Sequence, residues 1–366
     1  MAAARITSFL VKLASRCNLD CDYCYVYHHA DQSWRRMPRT LSDQHQTAFA
    51  QRLAAYVREQ NLNECYVVFH GGEPLLAGAE RIAAFAREIS ETIGESAKVR
   101  FGMQTNGLLL TDAALDALEA ANVIVSLSLD GPREVNDLHR TTRKHRSSFD
   151  RVASALERLQ KRPETFAGVI AVIDPRVQPE TLFSYFSQFP VPNLDFLLPD
   201  AHHLRPPPGR TEQPTLYRDW LVRAFNLWFD QYPHLRVRFF ETLLDSAAGL
   251  PSQTDAIGFG DVSLLTIETD GTYHDLDVLK VVEKACRRSQ AASPIGKFPM
   301  WQLRRQSKRT AGCFLKRGFA KPAARAALWT FAVAAPSHTG TGRRALIIRR
   351  STAMNFSPSF STSQND

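Results

Sequence analysis

The stretch SRCNLDCDYCYVY, from Ser15 to Tyr27, places three cysteines within eight positions soon after the apolar run Ile6–Leu13. The cysteines have the spacing C-x3-C-x2-C, and an aromatic residue, Tyr23, stands immediately before the last of them. A short apolar run bounded by polar residues is typical of a buried strand. The stretch therefore predicts a loop with three thiols at the end of the first strand.

Three crowded cysteines, Cys17, Cys21 and Cys24, indicate metal or redox chemistry in a reducing compartment rather than a disulfide framework. Cysteine thiolates are ligands of iron–sulfur clusters, and three ligands for four irons leave one iron open, as a catalytic metal requires. We therefore predict a [4Fe–4S] cluster. The alternatives are a structural zinc ion, with His28 or His29 as the fourth ligand, and a ferredoxin-type cluster, which would need a fourth cysteine nearby.

Apolar runs of strand length alternate with amphipathic stretches of helical period, which predicts parallel βαβ units in an α/β fold. Such units can close into a barrel or form a doubly wound sheet. Because the unusual residues fall in the loops after the strands, where barrel enzymes keep their active sites, we expect a partial (βα)6 TIM-like barrel. The strands are predicted at Ile6–Leu13, Cys65–His70, Val99–Gln104, Val123–Leu129, Phe166–Ile173 and Leu194–Leu198, and the helices at Asp43–Arg58, Ala79–Ile93, Asp112–Ala120 and Phe149–Leu159.

A second region follows the Pro-rich segment Asp200–Pro214, which predicts a long loop or linker. The helix Leu216–Gln231 carries large aromatic residues at a spacing typical of a core stripe. Thr269-Asp270-Gly271 predicts the turn of a hairpin, since Asp-Gly supplies the positive φ angles of a tight turn. We predict a core domain at 1–203, a helix and hairpin region at 204–284, and a tail at 285–366.

The net charge of +8 comes from the tail. Residues 285–366 hold fifteen Lys and Arg and one acid, so residues 1–284 hold 30 basic and 36 acidic residues. The charge therefore does not indicate a nucleic-acid partner. No apolar run reaches the roughly 18 residues of a membrane span, and the start of the chain has no small-residue cleavage site. We expect a cytoplasmic protein without a membrane or nucleic-acid partner.

The cysteine motif resembles that of the radical S-adenosylmethionine superfamily, and the resemblance continues through residue 284. It implies the partial barrel and a [4Fe–4S] cluster whose open iron binds the amino and carboxylate groups of S-adenosylmethionine. It also implies that reduction breaks a carbon–sulfur bond of this cosubstrate and gives a 5′-deoxyadenosyl radical, which abstracts hydrogen. The protein's contribution is position and the exclusion of water.

Two loops after strands resemble contacts of that family to the cosubstrate. In FHGGEPLL (Phe69–Leu76), the sequence Gly71-Gly72-Glu73 resembles the contact to the amino group, although a plain turn before a helix is the alternative. Asn106 in MQTNGLLL resembles a further contact. His70 is a candidate for proton transfer or a satisfied structural residue, and Cys65 is expected to be inert core.

The loop after the fourth strand resembles the family's ribose contacts through Ser128 and Asp130. Arg140 resembles the arginine that meets the carboxylate of the cosubstrate, with Arg133 and Arg143 as nearby alternatives. Tyr23 is grouped with the cosubstrate contacts because of its place in the cysteine motif. The strand GVIAVI (Gly168–Ile173) resembles the one beside the adenine, or is a buried parallel strand.

Within the superfamily, several segments resemble the FxsB-type peptide maturases, a cyclophane-forming group of radical SAM/SPASM enzymes. The resemblance implies a ribosomally made precursor peptide as substrate, an electron donor such as a flavodoxin or ferredoxin, and cross-linking of a side-chain β-carbon to an aromatic ring. Asp277 is the candidate acid–base residue as the ring loses its proton. The segments are Cys24–Pro38, Asn136–Arg140, Arg146–Val152, Phe196–His203 and Ile267–Lys280.

Two alternatives remain. Anaerobic sulfatase maturases share the barrel motifs, but they carry a cysteine for an extra cluster in the hairpin, where this chain has Leu276 before Asp277. That difference argues against sulfatase maturation. The other alternative is an inactive relic that binds peptide without modifying it.

The resemblance stops near residue 285, where the family continues into a cysteine-rich SPASM segment that holds auxiliary clusters. Here only Cys286 and Cys313 remain. Back-translated codons for Phe331–Gly342 and Lys321–Arg325, read in another frame, permit the missing cysteines and glycines in the family's order. We therefore hypothesise a degenerate, SPASM-like extension translated out of frame, with the auxiliary clusters lost. A tail without a periodic apolar face is expected to be disordered.

Overall fold

The structure is a computed structural model that describes residues 5–202, 204–250, 257, 263–274, 276–281 and 293–294. Its strands are β1 Ser8–Ala14, β2 Glu64–Gly71, β3 Lys98–Thr105, β4 Val123–Ser128, β5 Phe166–Val172, β6 Leu194–Leu197, β7 Leu264–Ile267, β8 Thr272–His274 and β9 Ser293–Pro294. The helices are α1 Asp43–Gln60, α2 Ala79–Ile93, α3 Asp112–Ala120, α4 Arg133–His139, α5 Phe149–Gln160, α6 Pro179–Phe186, α7 Leu216–Gln231 and α8 Arg238–Ala247.

One sheet runs through the molecule in the order β6-β5-β4-β3-β2-β1-β7-β8-β9, and β1 to β6 are parallel. A doubly wound sheet would place its first strand in the middle of this series. The sequential order is instead that of a βα barrel, so the predicted partial (βα)6 architecture is confirmed. All six parallel strands end at the same edge, and their following loops meet there.

The predicted helices are present as α1, α2, α3, α5 and α7. Two of them begin at a side-chain cap. Ser42 caps α1 by accepting from the His45 backbone N–H at 3.2 Å, and Thr111 caps α3 by accepting from Ala114 N–H at the same distance. The sequence patterns do not predict α4, α6 and α8, which are 7, 8 and 10 residues long. Helices this short depend on tertiary packing rather than on their own sequence period.

The predicted core stripe of α7 is confirmed at its two tryptophans. Trp220 and Trp228 are both buried, and each indole N–H finds a carbonyl partner: Trp220 donates to Val177 at 2.7 Å and Trp228 donates to Leu235 at 2.8 Å. A buried indole needs such a partner. These contacts attach α7 to the loop before α6 and to the segment that leads to α8.

The predicted hairpin is also present, with β7 and β8 antiparallel around Thr269-Asp270-Gly271. Its docking is a tertiary feature that the sequence does not indicate. β7 pairs in parallel with β1, from Ser8 opposite Leu264 to Val11 opposite Ile267. The hairpin therefore lies beside the strand that leads into the cysteine loop.

Cys286, Cys313 and the tail, for which we predicted lost auxiliary clusters and an altered reading frame, lie outside the described residues. Ser293 and Pro294 alone are described within 285–366, as the short strand β9 on β8. The boundaries of the three predicted regions stay predictions. In the part of the chain that the structure describes, no helix combines the length and the apolar character needed to cross a bilayer.

Candidate active site

A cavity opens where the parallel strands end, and all three cysteines of the predicted cluster loop line it. The loops after β2, β3 and β6 and side chains at the ends of β4 and β5 complete its wall. Its predicted site residues are Cys17, Cys21, Tyr23, Cys24, Gly71, Gly72, Glu73, Asn106, Ser128 and Arg140. Asp130 and Asp277 do not line the cavity but contact two tyrosines that do, Tyr23 and Tyr25, so residues far apart in sequence meet as the strand-end rule predicts.

The cysteine thiols are partly buried, and burial favours their protonated, uncharged form. Burial raises the pKa of Cys17 to about 12 and that of Cys21 to about 11, and it also raises the pKa of Cys24. Nitrogen donors nevertheless face the sulfur of Cys17: the backbone N–H of Leu19 at 3.4 Å and the side-chain amide of Asn106 at 3.6 Å. Such donors stabilise a metal-bound thiolate, and metal binding displaces the thiol proton.

The geometry does not favour the zinc alternative. Among the residues that the structure describes, no three His, Cys, Asp or Glu side chains are grouped so that they could hold one metal ion. Zinc needs its ligands to converge on one point, whereas the thiolates of a cubane cluster bind different irons and lie further apart. His28 is turned towards Asp20, at 3.0 Å from its carboxylate.

Gly71 and Gly72 let the loop after β2 press against the cysteine loop. Gly71 has a φ of +141°, and a Cβ there would lie 2.2 Å from the carbonyl oxygen of Ala14. A Cβ on Gly72 would lie 1.9 Å from the Tyr27 hydroxyl and 2.3 Å from the carbonyl oxygen of Arg16. The backbone N–H of Gly72 donates to Ala14 at 2.7 Å. Only glycine permits this approach.

Glu73 ties three loops together from a fully buried position. Its carboxylate accepts from the Thr105 hydroxyl at 2.7 Å, from the Asn106 backbone N–H at 2.8 Å and from the Leu75 backbone N–H at 3.0 Å. Its own N–H donates to the carbonyl of Arg16 at 3.0 Å. Burial raises the pKa of Glu73 despite these bonds. The carboxylate therefore orients the neighbouring loops, besides lining the cavity.

Asn106 links the loop after β3 to the cysteine loop. Its amide donates to the Asn18 side chain at 2.7 Å and approaches the Cys17 sulfur, while its carbonyl oxygen accepts from Leu108 N–H at 3.0 Å. Ser128, at the end of β4, lines the same cavity and lies 3.4 Å from the side-chain nitrogen of Gln104. Both side chains are thus held at the wall of the cavity.

Tyr23, Asp130 and Arg140 form a buried chain behind the cluster loop. The Tyr23 hydroxyl donates to the Asp130 carboxylate at 2.7 Å and accepts from Arg140 Nη1 at 2.9 Å. Asp130 also accepts from the Val172 N–H at 3.0 Å, so each of its carboxylate oxygens accepts a hydrogen bond. Arg140 retains a buried Nε without a partner among the described residues. An unpartnered buried guanidinium nitrogen beside a cavity fits a bound anionic group.

The structure separates Arg140 from the two other arginines near it in sequence. Arg140 is buried and lines the cavity, whereas Arg143 is exposed and Arg133 pairs on the surface with Asp150. A surface ion pair of that kind is worth little. The predicted carboxylate contact at Arg140 therefore has the only suitable position of the three.

His139 clamps the cysteine loop to the barrel, a role that the sequence patterns do not reveal. Its Nδ1 lies 2.8 Å from the Asp22 carboxylate and its Nε2 lies 3.1 Å from that of Asp174. These two hydrogen bonds raise the pKa of His139 to about 9. Its ring also contacts Tyr23, with the ring centroids 5.5 Å apart. The clamp joins the loop after β5 to the cluster loop.

Asp277 lies in a buried group of four charges. Lys12 Nζ is 2.5 Å from the Asp277 carboxylate and 3.2 Å from that of Glu268, and Lys280 contacts both acids. The Tyr25 hydroxyl donates to the second oxygen of Asp277. Burial alone would raise the pKa of Asp277, but the two ammonium groups outweigh it and hold this pKa well below its usual range.

This environment differs from the one expected for an acid–base residue. A general base works best with a pKa near the working pH, whereas Asp277 stays ionised and both of its oxygens are occupied. Asp277 reaches the cavity through Tyr25, which lines it. Its catalytic role stays a prediction, and its visible role is to connect β1, the hairpin and the cluster loop.

Asp277→Asn is expected to lower the free energy of unfolding by about 3–5 kcal/mol, because it leaves the buried Lys12 and Lys280 short of a counter-charge. Since the folded-state pKa of Asp277 is depressed, its contribution is present above pH ~4 and is lost as the pH falls further. Urea unfolding between pH 7 and pH 3 checks this. The control Asp150→Asn, which removes an exposed partner of Arg133, should cost less than about 1 kcal/mol. Equal losses in the two variants would contradict the prediction.

Two further polar side chains line the cavity. His70 is the penultimate residue of β2, its Nδ1 lacks a partner among the described residues, and burial lowers its pKa. Asp200 follows β6 and is partly buried. The sequence patterns place Asp200 at the start of the Pro-rich segment and in a segment of resemblance but do not predict it as a site residue, although its place after a parallel strand is the signal that identifies the other residues of this wall.

The model of the radical SAM superfamily matches residues 11–175, which span β1 to β5 and every cysteine of the cluster loop. Residues 11–175 therefore form a radical SAM domain. Its cofactors are accordingly a [4Fe–4S] cluster and S-adenosylmethionine, and the residues present fit both. Three thiols, with no fourth cysteine beside them among the described residues, fit the cluster, and the unpartnered Arg140 Nε fits the carboxylate of the cosubstrate.

The chain is also similar to curated proteins. The radical SAM chain is 33% identical over 245 residues to an uncharacterised protein of Synechocystis, covering 64% of this chain and 58% of that relative. It is 24% identical over 278 residues to the cysteine-type anaerobic sulfatase-maturating enzyme of Clostridium perfringens, covering 74% of each. The chain thus spans under two thirds of the first relative.

Solved structures share the fold. The structure of native anSMEcpe with bound AdoMet and Cp18Cys peptide superposes with a TM-score of 0.69 at 23% identity, covering 81% of this chain and 79% of that one. Streptococcus suis SuiB bound to its precursor peptide SuiA superposes with a TM-score of 0.53 at 12% identity, covering 82% and 64%. At these identities the likeness concerns the fold.

Arg140→Met is expected to raise the KM for S-adenosylmethionine about tenfold or more while leaving the iron content unchanged. The reason is that a charge-assisted hydrogen bond to a carboxylate contributes about 1.5–3 kcal/mol. Release of 5′-deoxyadenosine at varied cosubstrate concentration measures it. Arg133→Met removes the same charge at the exposed pair and should leave the KM unchanged. A normal KM in Arg140→Met would remove Arg140 from the cosubstrate site.

Proposed function

We propose that this radical SAM chain modifies a ribosomally made precursor peptide by cross-linking side chains. The observation that carries the proposal is the single cavity shared by the cluster loop, the Gly-Gly-Glu loop, Arg140 and the wall formed by β5 and β6. The cavity continues past the predicted cosubstrate contacts to apolar side chains and Asp200. Neighbours of the same fold were solved with peptides bound, which supports a peptide as the substrate.

When bound, the reduced cluster and S-adenosylmethionine supply a 5′-deoxyadenosyl radical that takes a hydrogen atom from the substrate. The chain's own residues hold the reactants. Arg140 binds the carboxylate of the cosubstrate, and the loop at Gly71 and Gly72 receives its amino group. Ser128 and Asp130 are the predicted contacts to its ribose. Glu73 holds these loops in place through its hydrogen bonds. Their position matters because a displacement of about 1 Å costs about a hundredfold in rate.

The cross-link then forms between the substrate's β-carbon and a nearby aromatic ring. Bond formation leaves the ring as a radical with one hydrogen too many, so the ring gives one proton to a carboxylate and one electron to a one-electron acceptor, an oxidised flavodoxin or ferredoxin. Asp277, reached through Tyr25, is the predicted proton acceptor; its depressed pKa limits it to a strongly acidic donor. A flavodoxin or ferredoxin is the predicted source of the electron that starts the cycle.

Sulfatase maturation is the second candidate, and the identity to sulfatase-maturating enzymes favours it. In the resemblance stated above, those enzymes carry a cluster cysteine at the position where this chain has Leu276. This difference favours cross-linking over sulfatase maturation. The FxsB-type assignment, the cytoplasmic location and the out-of-frame tail are part of the same proposal. Sequencing the gene decides the last of these: one intact frame in independent isolates would end the idea.

The experiment is anaerobic reconstitution of the full chain followed by assays with two peptide probes. Uncoupled release of 5′-deoxyadenosine tests the radical chemistry first, and an inactive relic would show none. The Cp18Cys peptide then tests for sulfatase-type maturation by its change in mass. A pool of hexapeptides with one fixed tryptophan tests for cross-linking, which removes two hydrogens and blocks fragmentation between the linked residues. Modification of Cp18Cys alone would overturn the cross-linking proposal.

A further inference from the structure

Asp200 is a carboxylate on the cavity wall whose charge no neighbour balances. It follows β6 and lines the same cavity as the cluster cysteines and Tyr25. Among the described residues, no Lys, Arg or His forms an ion pair with it, and none donates a hydrogen bond to it. Burial, together with the negative charge of Asp277, raises the pKa of Asp200 to about 6.

The surroundings of Asp200 are apolar. Ile170 and Val172 of β5 line the cavity beside it, and Leu197, Leu198 and Pro199 lead up to it along the chain. Leu198 is 42% exposed, so this wall is open to an incoming ligand. A carboxylate against apolar side chains is destabilised by its lost hydration and is relieved by an ammonium or guanidinium group.

Three cationic side chains that the structure describes, Lys12, Lys280 and Arg205, contact groups other than Asp200. Lys12 and Lys280 pair with Glu268 and Asp277. Arg205 donates to the carbonyl oxygen of His28. None of the residues that the structure describes therefore supplies the relieving charge, which leaves a ligand as its source. The predicted cosubstrate contacts follow β2, β3 and β4, and the predicted adenine strand is β5, whereas Asp200 follows β6, so the remaining candidate is the substrate.

We infer that Asp200 is a specificity-determining residue that binds a cationic side chain of the substrate peptide, a lysine or arginine flanked by apolar residues. This inference rests on the proposed peptide substrate and adds the charge of the residue that enters the cavity. The Asp200 carboxylate accepts hydrogen bonds from the ammonium or guanidinium group, and Leu197 and Leu198 contact the neighbouring apolar residue. Specificity follows because a neutral or acidic side chain leaves Asp200 unpaired.

The test is equilibrium binding, which needs no turnover. The reconstituted full chain, loaded with S-adenosylmethionine and left unreduced, is immobilised and exposed to a pool of acetylated, amidated hexapeptides randomised at every position. The bound fraction is sequenced by mass spectrometry. Wild type is expected to enrich Lys and Arg at one position about tenfold over the input, the ratio that one charge-assisted hydrogen bond supplies.

Three variants make the test specific. Asp200→Asn is expected to lose the enrichment, and Asp200→Lys is expected to enrich Asp and Glu instead. Asp230→Asn removes an exposed carboxylate on α7 and should behave as wild type. Iron content and cosubstrate binding establish that each variant holds its cofactors.

Each result decides the inference. Absence of cation enrichment in wild type, or the same enrichment in Asp200→Asn, overturns it. Weakened binding of S-adenosylmethionine in Asp200→Asn with unchanged peptide enrichment also overturns it, because Asp200 would then contact the cosubstrate. Cation enrichment that depends on Asp200, in a chain that modifies no peptide, would uphold the contact and refute the cross-linking function.

Discussion

Cys21→Ala is expected to lose the iron–sulfur absorbance and the cleavage of S-adenosylmethionine together. Cys21 is one of three thiols that line the cavity, and two thiolates hold a cubane cluster far less well than three. Cleavage should fall by at least about a thousandfold, to background, since the cluster supplies the electron. Iron and sulfide analysis, absorbance after anaerobic reconstitution and the yield of 5′-deoxyadenosine measure the effect.

Cys65→Ala is the matched control, because Cys65 is a cysteine of the same chain that is fully buried in β2, outside the cavity wall. Burial raises its pKa to about 12, so it is an inert core thiol. We expect this variant to keep four irons per chain and normal cleavage. Retained iron and cleavage in Cys21→Ala would overturn the ligand assignment, and eight or more irons in wild type would indicate auxiliary clusters in the tail.

Gly72→Ala is the second large effect, and it acts through the cluster loop. The added Cβ would lie 1.9 Å from the Tyr27 hydroxyl and 2.3 Å from the carbonyl oxygen of Arg16. The Tyr27 side chain can move as a whole, but the carbonyl belongs to the backbone that precedes Cys17. Overpacking of this kind costs about 1–3 kcal/mol, and a loop moved by about 1 Å costs about a hundredfold in rate.

Gly102→Ala is the control for this substitution. Gly102 lies in β3, and the nearest atoms to an added Cβ are 3.9 Å and 4.0 Å away, which is ordinary contact. The expected outcome is normal cleavage in Gly102→Ala and about a hundredfold lower cleavage in Gly72→Ala, with circular dichroism unchanged in both. Normal cleavage in Gly72→Ala would mean that the two loops do not need their close approach.

Local sequence signals predicted the βα alternation and the cluster loop well. Strand β4 and helix α2, for example, have the predicted start, because apolar period and bounding polar residues are properties of a few neighbouring positions. The same locality explains the misses. Helices α4 and α6 are too short to show a period, and their stability comes from packing against strands and helices elsewhere in the chain.

Within the site, the rule that parallel strands end at one edge was sufficient to group the loops after β1 to β4. It did not predict what each side chain does there. Glu73 accepts three hydrogen bonds, two of them from Thr105 and Asn106 at the end of β3, and Asp277 is neutralised by Lys12 and Lys280 rather than poised as a base. These partners come from distant parts of the chain.

The sequence by itself determined the cofactor chemistry of this protein, because the cysteine spacing acts over eight consecutive residues. It also determined the order of strands and helices. Tertiary structure alone decided which of three neighbouring arginines is buried, which acid is paired and which carboxylate is left without a cation. The reason is physical: charge balance and burial depend on all elements that surround a side chain, and those elements are brought together only by the fold.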